Sequence, residues 1–327
     1  MRTTVLLGSA LVVMATLLPG CDGGRPTTIA QQDPEQNGVV PELSPRSARP
    51  AVDRVVAIGD LHGDVNAARK ALRTAGAIGA SDTWIGGKLV VVQTGDQIDR
   101  GEDDRQVLDL FDKLKGEAAR AGGEVISLSG NHEIMNATFD FRYVSPEGFA
   151  AFDGITPVGP EARQAASFKP AERGRASAFA PGGVYASLLA DRPVVIRVGD
   201  SMFVHGGIKM KHATYGIDRI NDGVHDWLTG GAAAPPELVV ADDGPIWMRD
   251  YSEPASLGPE ACDKLGALLV KLHAVRLVMG HTVQESGITS ACDGKAWRID
   301  VGMSHVYGGP IQVLEVRGGA AHVLQGP

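Results

Sequence analysis

The sequence predicts an α/β domain of two facing sheets with helices on their outer faces. Three observations carry that expectation. First, the apolar runs Val55–Ile58, Leu89–Val92 and Val125–Leu128 are bounded by Gly and polar residues, as buried strands are. Second, each run ends on a short polar string: GDLHGD at Gly59–Asp64, GDQIDRG at Gly95–Gly101 and GNHE at Gly130–Glu133. Third, Asp60, Asp96 and Asn131 follow one another at intervals of 36 and 35 positions. Successive βαβ units of a little over ~30 residues have that length.

The elements follow in chain order. Asp64–Ala77 and Glu102–Ala121 have helical periodicity and connect the first three strands. Asp60, Asp96 and Asn131 thereby fall at strand C-termini, where open α/β sheets gather ligands. Residues Asn136 to Pro193 contain no such string. One helix there starts at Ser145-Pro146, an N-cap followed by Pro at N1, and another covers Val184–Leu189. Together with Tyr215–Leu228 this segment is expected to roof the site. Phe139, Phe141 or Tyr143 there would either stack on an aryl substrate or join the core, and the core is the commoner fate.

Val194–Val198 and Met202–Val204 read as a hairpin turning at Gly199-Asp200, which delivers His205 in the string VHGG. A helix over Pro259–His273 precedes a short strand, Leu277–Met279, which delivers His281 in GHT. Arg298–Val301, Ile311–Val316 and Ala321–Leu324 suggest a closing antiparallel meander. Two facing sheets with helices outside is the simplest packing of this inventory.

The donors at the strand ends are carboxylate, amide and imidazole, a mixed N/O set that suits Mn, Fe or Zn. Two such ions ~3.5–4 Å apart are what phosphate-ester hydrolysis needs, since they activate water and clamp phosphoryl oxygens. Asp96, on the middle strand, is the natural bridge. Asp60 and His62 would complete the first ion, and Asn131, His205 and His281 the second. Arg100 follows Asp99 at the head of an acidic helix and can grip phosphate oxygens in a fork. His132 would protonate the leaving oxygen, with Asp99 fixing its tautomer and Glu133 bracing Arg100. Any one Gly-Asp pair could be a simple turn; all the strings at this spacing argue for a site. His212, His225, His273, His305 and His322 have no comparable setting and read as surface or satisfied core.

GDxHG, GDxxDRG and GNHE resemble the signature of the phosphoprotein phosphatase (PPP) family within the calcineurin-like metallophosphoesterases. The resemblance spans Val52–Gly326. Its finer features are similar to the bacterial Shewanella-like branch: IMN at Ile134–Asn136, GPIWMR at Gly244–Arg249, and RIDVGMS with YGG at Arg298–Gly309. It implies a four-layer α/β/β/α sandwich of two mixed sheets, a dinuclear metal centre with the ligands above, and a second phosphate-binding arginine, best matched by Arg249. Asn131 would then face the substrate phosphate as well as a metal. The last metal string is GHTVQ, so His281 stands without the second histidine that many wider relatives carry. His305 and Asp250 depart from the branch and leave substrate preference open. The implied activity is that of a metal-dependent phosphomonoesterase acting on phosphoprotein Ser, Thr or Tyr. A nucleotide or diadenosine polyphosphate hydrolase is the alternative enzyme. A non-catalytic lipoprotein binding module on a phosphatase scaffold is the alternative from another class, and no ligand is missing to support it.

Arg2 followed by the apolar run Val5–Leu18 and LPGC at Leu18–Cys21 describes a bacterial lipoprotein signal over residues 1–21, with lipidation expected at Cys21. The run is shorter than the ~20 apolar residues of a membrane span. Residues 22–50, rich in Pro, Gly, Gln and Ser, read as a disordered tether, and residues 51–327 as the catalytic domain. The expected address is the cell envelope, with the domain facing the periplasm on a lipid anchor. A formal net charge of −8 and the lack of basic runs argue against nucleic acid as a partner. After lipidation Cys262 and Cys292 remain, and export would place them where a disulfide persists.

Overall fold

The computed structural model describes residues 42–158 and 162–326. The expectations for residues 1–21, for Cys21 and for most of the tether lie outside that range. The strands are β1 Ala48–Arg49, β2 Arg54–Ile58, β3 Val90–Gln93, β4 Glu124–Ser127, β5 Val195–Val198, β6 Ser201–Val204, β7 Arg276–Met279, β8 Thr289–Ala291, β9 Ala296–Arg298, β10 Gln312–Arg317 and β11 Ala320–Gln325. The helices are α1 Val65–Thr74, α2 Asp104–Ala121, α3 Asn131–Ala137, α4 Pro146–Ala150, α5 Ala162–Ala166, α6 Pro170–Phe179, α7 Val184–Ala190, α8 Met210–Tyr215, α9 Ile217–Leu228, α10 Glu237–Val240 and α11 Pro259–Lys271.

Alternation along the strands builds two mixed sheets and three apolar layers. One sheet has the order β11-β10-β2-β3-β4 and the other β1-β5-β6-β7-β9-β8. Val55, Ala57, Val90, Val92 and Ile126 point inward and meet Ile196, Val198, Phe203 and Val278 from the second sheet. Val56, Ile58, Val91 and Val125 point outward and bury Ala68, Leu72, Leu108's neighbour Val107, and Phe111 of α1 and α2. The outer residues of β5–β7 pack on α7, α9 and α11 through Leu189, Ile220, Trp227 and Leu268. Both faces of the central strands are therefore covered, which is why their sequences are near-continuous apolar runs. β3 lies between β2 and β4, both parallel to it, and so places Asp96 between the other two polar strings.

The hairpin β5–β6 turns where expected, with Gly199 at a φ of 59°, a left-handed value that a two-residue turn of this kind demands. The Ser145 side chain accepts the Gly148 N–H and caps α4, with Pro146 behind it. Two expectations need correction, and one strand was not expected. Arg298–Val301 joins no closing meander: β9 pairs in parallel with β7, and only β10 and β11 form the antiparallel closure on β2. The short strand β8, which pairs with β9, was not foreseen because Thr-Ser-Ala carries no apolar alternation. Tyr215–Leu228 does not roof the site; α9 lies flat on the outer face of the second sheet, where Asn221 accepts the Val194 and Val195 N–H groups.

The tether also ends earlier than its composition implies. Ser44 donates to Asp218, Ser47 is buried against Asn221, and β1 extends the second sheet beside β5. Small polar residues here find fixed partners, which composition cannot reveal. Among the described residues, no helix is long and apolar enough to cross a membrane.

Cys262 of α11 and Cys292, in the turn after β8, form a disulfide with Cα atoms 5.2 Å apart and a sequence separation of 30. Closing a loop of that length restricts the unfolded chain. Replacing both cysteines with serine is expected to lower the unfolding free energy by about 3–4 kcal/mol, read from the denaturant midpoint of the oxidised parent and the variant. Equal midpoints would show that the bridge carries no such stabilisation.

Candidate metal centre

The strand ends converge on one buried cluster. Asp60, His62, Asp96, Asn131, His205 and His281 are all buried. Asp96 is its hub: its Oδ2 lies 3.2 Å from His205 Nε2, 3.9 Å from His62 Nε2 and 3.8 Å from His132 Nε2. On one side Asp60 Oδ2 stands 4.0 Å from His62 Nε2. On the other, His205 Nε2 meets Asn131 Oδ1 at 2.8 Å and His281 Nδ1 at 3.1 Å. Two groups with metal-ligand spacing result, His62–Asp96–His132 and Asp96–His205–His281, and Asp96 belongs to both.

The histidines are oriented for ligation. His62 Nδ1 faces the Ile98 carbonyl at 3.4 Å and His205 Nδ1 the Thr94 carbonyl at 2.9 Å, so each turns Nε2 to the cluster. His281 is reversed, with Nε2 on the Trp247 carbonyl at 3.0 Å and Nδ1 inward. A backbone carbonyl on the far nitrogen is the usual way to fix a ligating imidazole.

Close backbone approach explains the glycine in each string. A Cβ at Gly130 would overlap the Asp96 carboxylate, and one at Gly280 the Asp60 carboxylate. Five non-glycine residues of the strings are themselves left-handed: His62 (φ 43°), Asp96 (54°), Asp99 (72°), Arg100 (70°) and His281 (70°). Such conformations cost roughly 1–3 kcal/mol each and persist where surroundings impose them.

The electrostatics ask for cations. Burial, with Asp300 and Asp96 close by, pushes the Asp60 carboxyl well above the usual carboxylate range. Burial opposes the charge on Asp96 as well, but His205, His132 and His62 outweigh it and hold Asp96 well below that range. Burial also drives Asp300 up to about 6 and His62 down to about 3. Among the described residues no Lys or Arg forms an ion pair with Asp60, Asp96 or Asp300; the ion pairs of Asp60 and Asp96 are with histidine alone. Buried carboxylates beside imidazoles and an amide oxygen form a donor set that fits divalent metal ions.

His132 sits at the edge of the cluster. Its Nδ1 meets Asp99 Oδ2 at 2.7 Å, and its N–H donates to Asp96 Oδ1 at 3.0 Å. Burial alone would lower its pKa, but Asp96 and Asp99 outweigh burial and raise it. Glu133 does not brace Arg100, contrary to expectation. Its carboxylate accepts the N–H groups of Gly130, Asp96 and Gln97 at 2.8–2.9 Å and ties two strings together. Arg100 is held by aromatic faces instead, with its guanidinium 4.5 Å from the Tyr143 ring and 5.6 Å from that of Tyr307. Its buried Nε has no hydrogen-bond partner among the described residues. Arg249 is fixed beside the cluster, its Nη1 donating to the His281 carbonyl (2.9 Å) and to Thr282 Oγ1 (2.8 Å).

Sequence reasoning missed the support behind Asp99. Arg175 of α6 is fully buried and donates to Asp99 Oδ1 (2.7 Å), Asp104 Oδ2 (2.6 Å), Asn136 Oδ1 (2.7 Å) and the Gly148 carbonyl (2.8 Å). Asn136 in turn donates to Asp99. The local pattern gives little signal: every residue of α6 from Gly174 to Phe179 is buried, so no one-sided apolar stripe singles out Arg175. Of the remaining histidines, His212 accepts the Lys209 N–H at the start of α8, His225 meets the Ala190 carbonyl, and His305 pairs with Asp64.

Comparisons agree with this geometry. The chain matches the calcineurin-like phosphoesterase family over residues 53–285. It is 38% identical to Shewanella-like protein phosphatase 2 of Arabidopsis thaliana, over 88% of this chain and 80% of that protein. It is 31% identical to Shewanella-like protein phosphatase 1 of Plasmodium berghei, over 77% of this chain and 67% of that protein. A solved structure with the same fold is the cold-active protein-tyrosine phosphatase of a psychrophilic Shewanella species, with a TM-score of 0.66 at 23% identity, over 90% of this chain and 89% of that one.

Arg175→Met leaves Asp99 and Asp104 buried without their cation, and is expected to destabilise the fold by about 3–5 kcal/mol in equilibrium denaturation. Arg175→Lys cannot reproduce four directed bonds and should recover little of that loss. A loss under about 1 kcal/mol for Arg175→Met would place the network outside the stabilising core.

Proposed function

The chain belongs to the calcineurin-like phosphoesterase family, with Shewanella-like phosphatases as its relatives, and is a metal-dependent phosphatase; from this premise we propose that its substrates are phosphorylated side chains of proteins. The observation that carries the reading is Asp96, shared by two groups of metal-ligand spacing, with Arg249 bonded to the His281 backbone beside it. Asp60, His62 and Asp96 would hold one ion, and Asp96, Asn131, His205 and His281 the other. When bound, such ions lower the pKa of water and neutralise phosphoryl oxygens.

This chain's own residues supply the rest. Arg100 and Arg249 approach from opposite strings, and their guanidinium groups would receive the phosphoryl oxygens that gain charge in the transition state. Neutral Asn131 limits the negative charge facing an anionic substrate. His132 Nε2 would donate its proton to the leaving oxygen. Asp99 accepts from Nδ1–H and favours the imidazolium, whose second proton sits on Nε2, and Arg175 holds Asp99 in place. The relatives' names favour protein substrates, and the charge distribution does too. A polyphosphate substrate calls for additional cations, whereas Arg142 is exposed and tied to Asp140.

The proposed address is the cell envelope, through a lipid on Cys21. The Cys262–Cys292 bridge supports export, since disulfides persist in oxidising compartments. The mixed donor set suits Mn, Fe or Zn. A panel of phosphopeptides, mononucleotides, dinucleoside polyphosphates and a generic aryl phosphate tests the proposal on purified, metal-loaded protein. Phosphopeptides should give the highest kcat/KM, and a preference for dinucleoside polyphosphates would overturn it.

His132→Asn should lower kcat by roughly 10²–10⁴ with metals retained, the usual size of a lost general acid. The loss should shrink for substrates with good leaving groups, which need little protonation. Equal loss for all leaving groups would assign His132 another role. For the arginines, Arg100→Lys should cost most of what Arg100→Ala costs, because the charge remains but the fork is gone. Arg249→Ala should raise KM and weaken inhibition by inorganic phosphate while metal content holds. Unchanged KM and phosphate inhibition would leave a clamp with one arm.

A further inference from the structure

Arg249 stands on a loop that is held along its whole length. At its start, Gly206 and Gly207, just after β6, donate to the Pro245 carbonyl at 2.8 and 3.1 Å. His281 Nε2 meets the Trp247 carbonyl at 3.0 Å. Farther along, Arg298 Nε donates to the Tyr251 carbonyl at 2.7 Å.

The residues after His281 make the last hold. Thr282 Oγ1 accepts from Arg249 Nη1 at 2.8 Å and shares a hydrogen bond with Ser252 Oγ at 2.7 Å. Ser252 is 1% exposed, so water does not compete for that hydroxyl. Gln284 Nε2 donates to the Ser252 carbonyl at 3.1 Å and to the Thr282 carbonyl at 2.9 Å, and one amide thereby clips two loops together. Gln284 is itself fixed: its Oε1 accepts from Thr289 Oγ1 at 3.1 Å, and its N–H donates to the Asp300 carbonyl at 2.8 Å.

Every acceptor that holds Arg249 is neutral. Among the described residues Arg249 forms no ion pair, and its hydrogen bonds, to the His281 carbonyl and to Thr282, both use Nη1. Nε and Nη2 are left over. A carboxylate in place of these acceptors would offset the charge that a phosphoryl group needs. Arginine has many rotamers, and holding it before substrate arrives removes part of the ordering cost from binding. Donors fixed in advance also meet the transition-state charge without reorganising.

We infer that Thr282, braced by Ser252 and Gln284, is a positioning residue that fixes Arg249 with Nε and Nη2 free for the substrate phosphate. The inference rests on the reading of Arg249 as a phosphate arm. Thr282 is no part of the metal cluster and acts through the arginine alone.

A double-mutant cycle on the full, metal-loaded chain tests this, with p-nitrophenyl phosphate as substrate and inorganic phosphate as inhibitor. Thr282→Val keeps the shape and removes the acceptor. It should raise KM and the phosphate inhibition constant roughly threefold to tenfold, the size of one hydrogen bond, with kcat less affected and metal content unchanged. Thr282→Ser returns the hydroxyl and should recover most of the loss. In an Arg249→Ala background Thr282→Val should have no further effect, because the residue it acts through is gone. Gln284→Met keeps the volume and loses both donors; it should shift both constants in the same direction, and it carries the test if Thr282→Val folds poorly. Parental KM and phosphate inhibition in Thr282→Val, where Arg249→Ala raises both, would overturn the inference alone. So would a rise in KM accompanied by metal loss, no recovery in Thr282→Ser, or a shift that survives in the Arg249→Ala background. Parental phosphate inhibition in Arg249→Ala itself would overturn the reading of the arm, and the inference with it.

Discussion

Four carboxylates, those of Asp60, Asp96, Glu133 and Asp300, are buried at one end of two sheets with no lysine or arginine among the described residues in ion-pair contact. Burying unpaired charge is among the largest costs a fold can carry. The surroundings share that cost. Backbone N–H groups satisfy Glu133, histidines surround Asp96, and the His281 N–H donates to Asp60. What remains unsatisfied is a negative field that metal ions are suited to fill. The left-handed turns, the glycines in close contact and the parallel arrangement of β2, β3 and β4 all serve to bring those groups to one point.

A second buried network stands directly behind the first and is treated oppositely. Asp99 and Asp104 have a full cation partner in Arg175. The outcome is a division of charge within one region: carboxylates that face the cluster lack a protein cation, and carboxylates that position His132 have one. Asp99 joins the two layers, since one oxygen meets His132 and the other Arg175. The aromatic clamp on Arg100 follows the same logic. Tyr143 and Tyr307 hold the guanidinium without using up its donors, as a carboxylate partner would.

Much of this was legible in the sequence because the relevant signals are local. A glycine and a polar ligand at the end of an apolar run mark a strand terminus wherever they occur, so the six cluster residues and the order of the first three strands could be read directly. The helices α1, α2, α4 and α11 announced themselves through periodicity, caps and Pro at N1. What stayed hidden depends on pairing between distant segments. Arg175 meets Asp99 only after α6 folds back over α3, and nothing near either residue encodes that contact. Glu133 was assigned to Arg100 as an opposite charge on a string expected to converge with its own, whereas three backbone N–H groups had the stronger claim. The sheet that receives Ala296–Arg298 is chosen by β7 and not by the strand's own pattern. The segment before Ala51 looked disordered by composition, yet Ser44 and Ser47 find fixed partners on α9.

The central claim is that Asp96 bridges two metal sites. Anomalous diffraction at the metal absorption edge, on crystals of the metal-loaded protein, tests it most directly. The account predicts two peaks in the cluster with the Asp96 carboxylate between them, one near Asp60 and His62 and the other near Asn131, His205 and His281. A single peak, or two peaks of which only one contacts Asp96, would contradict it.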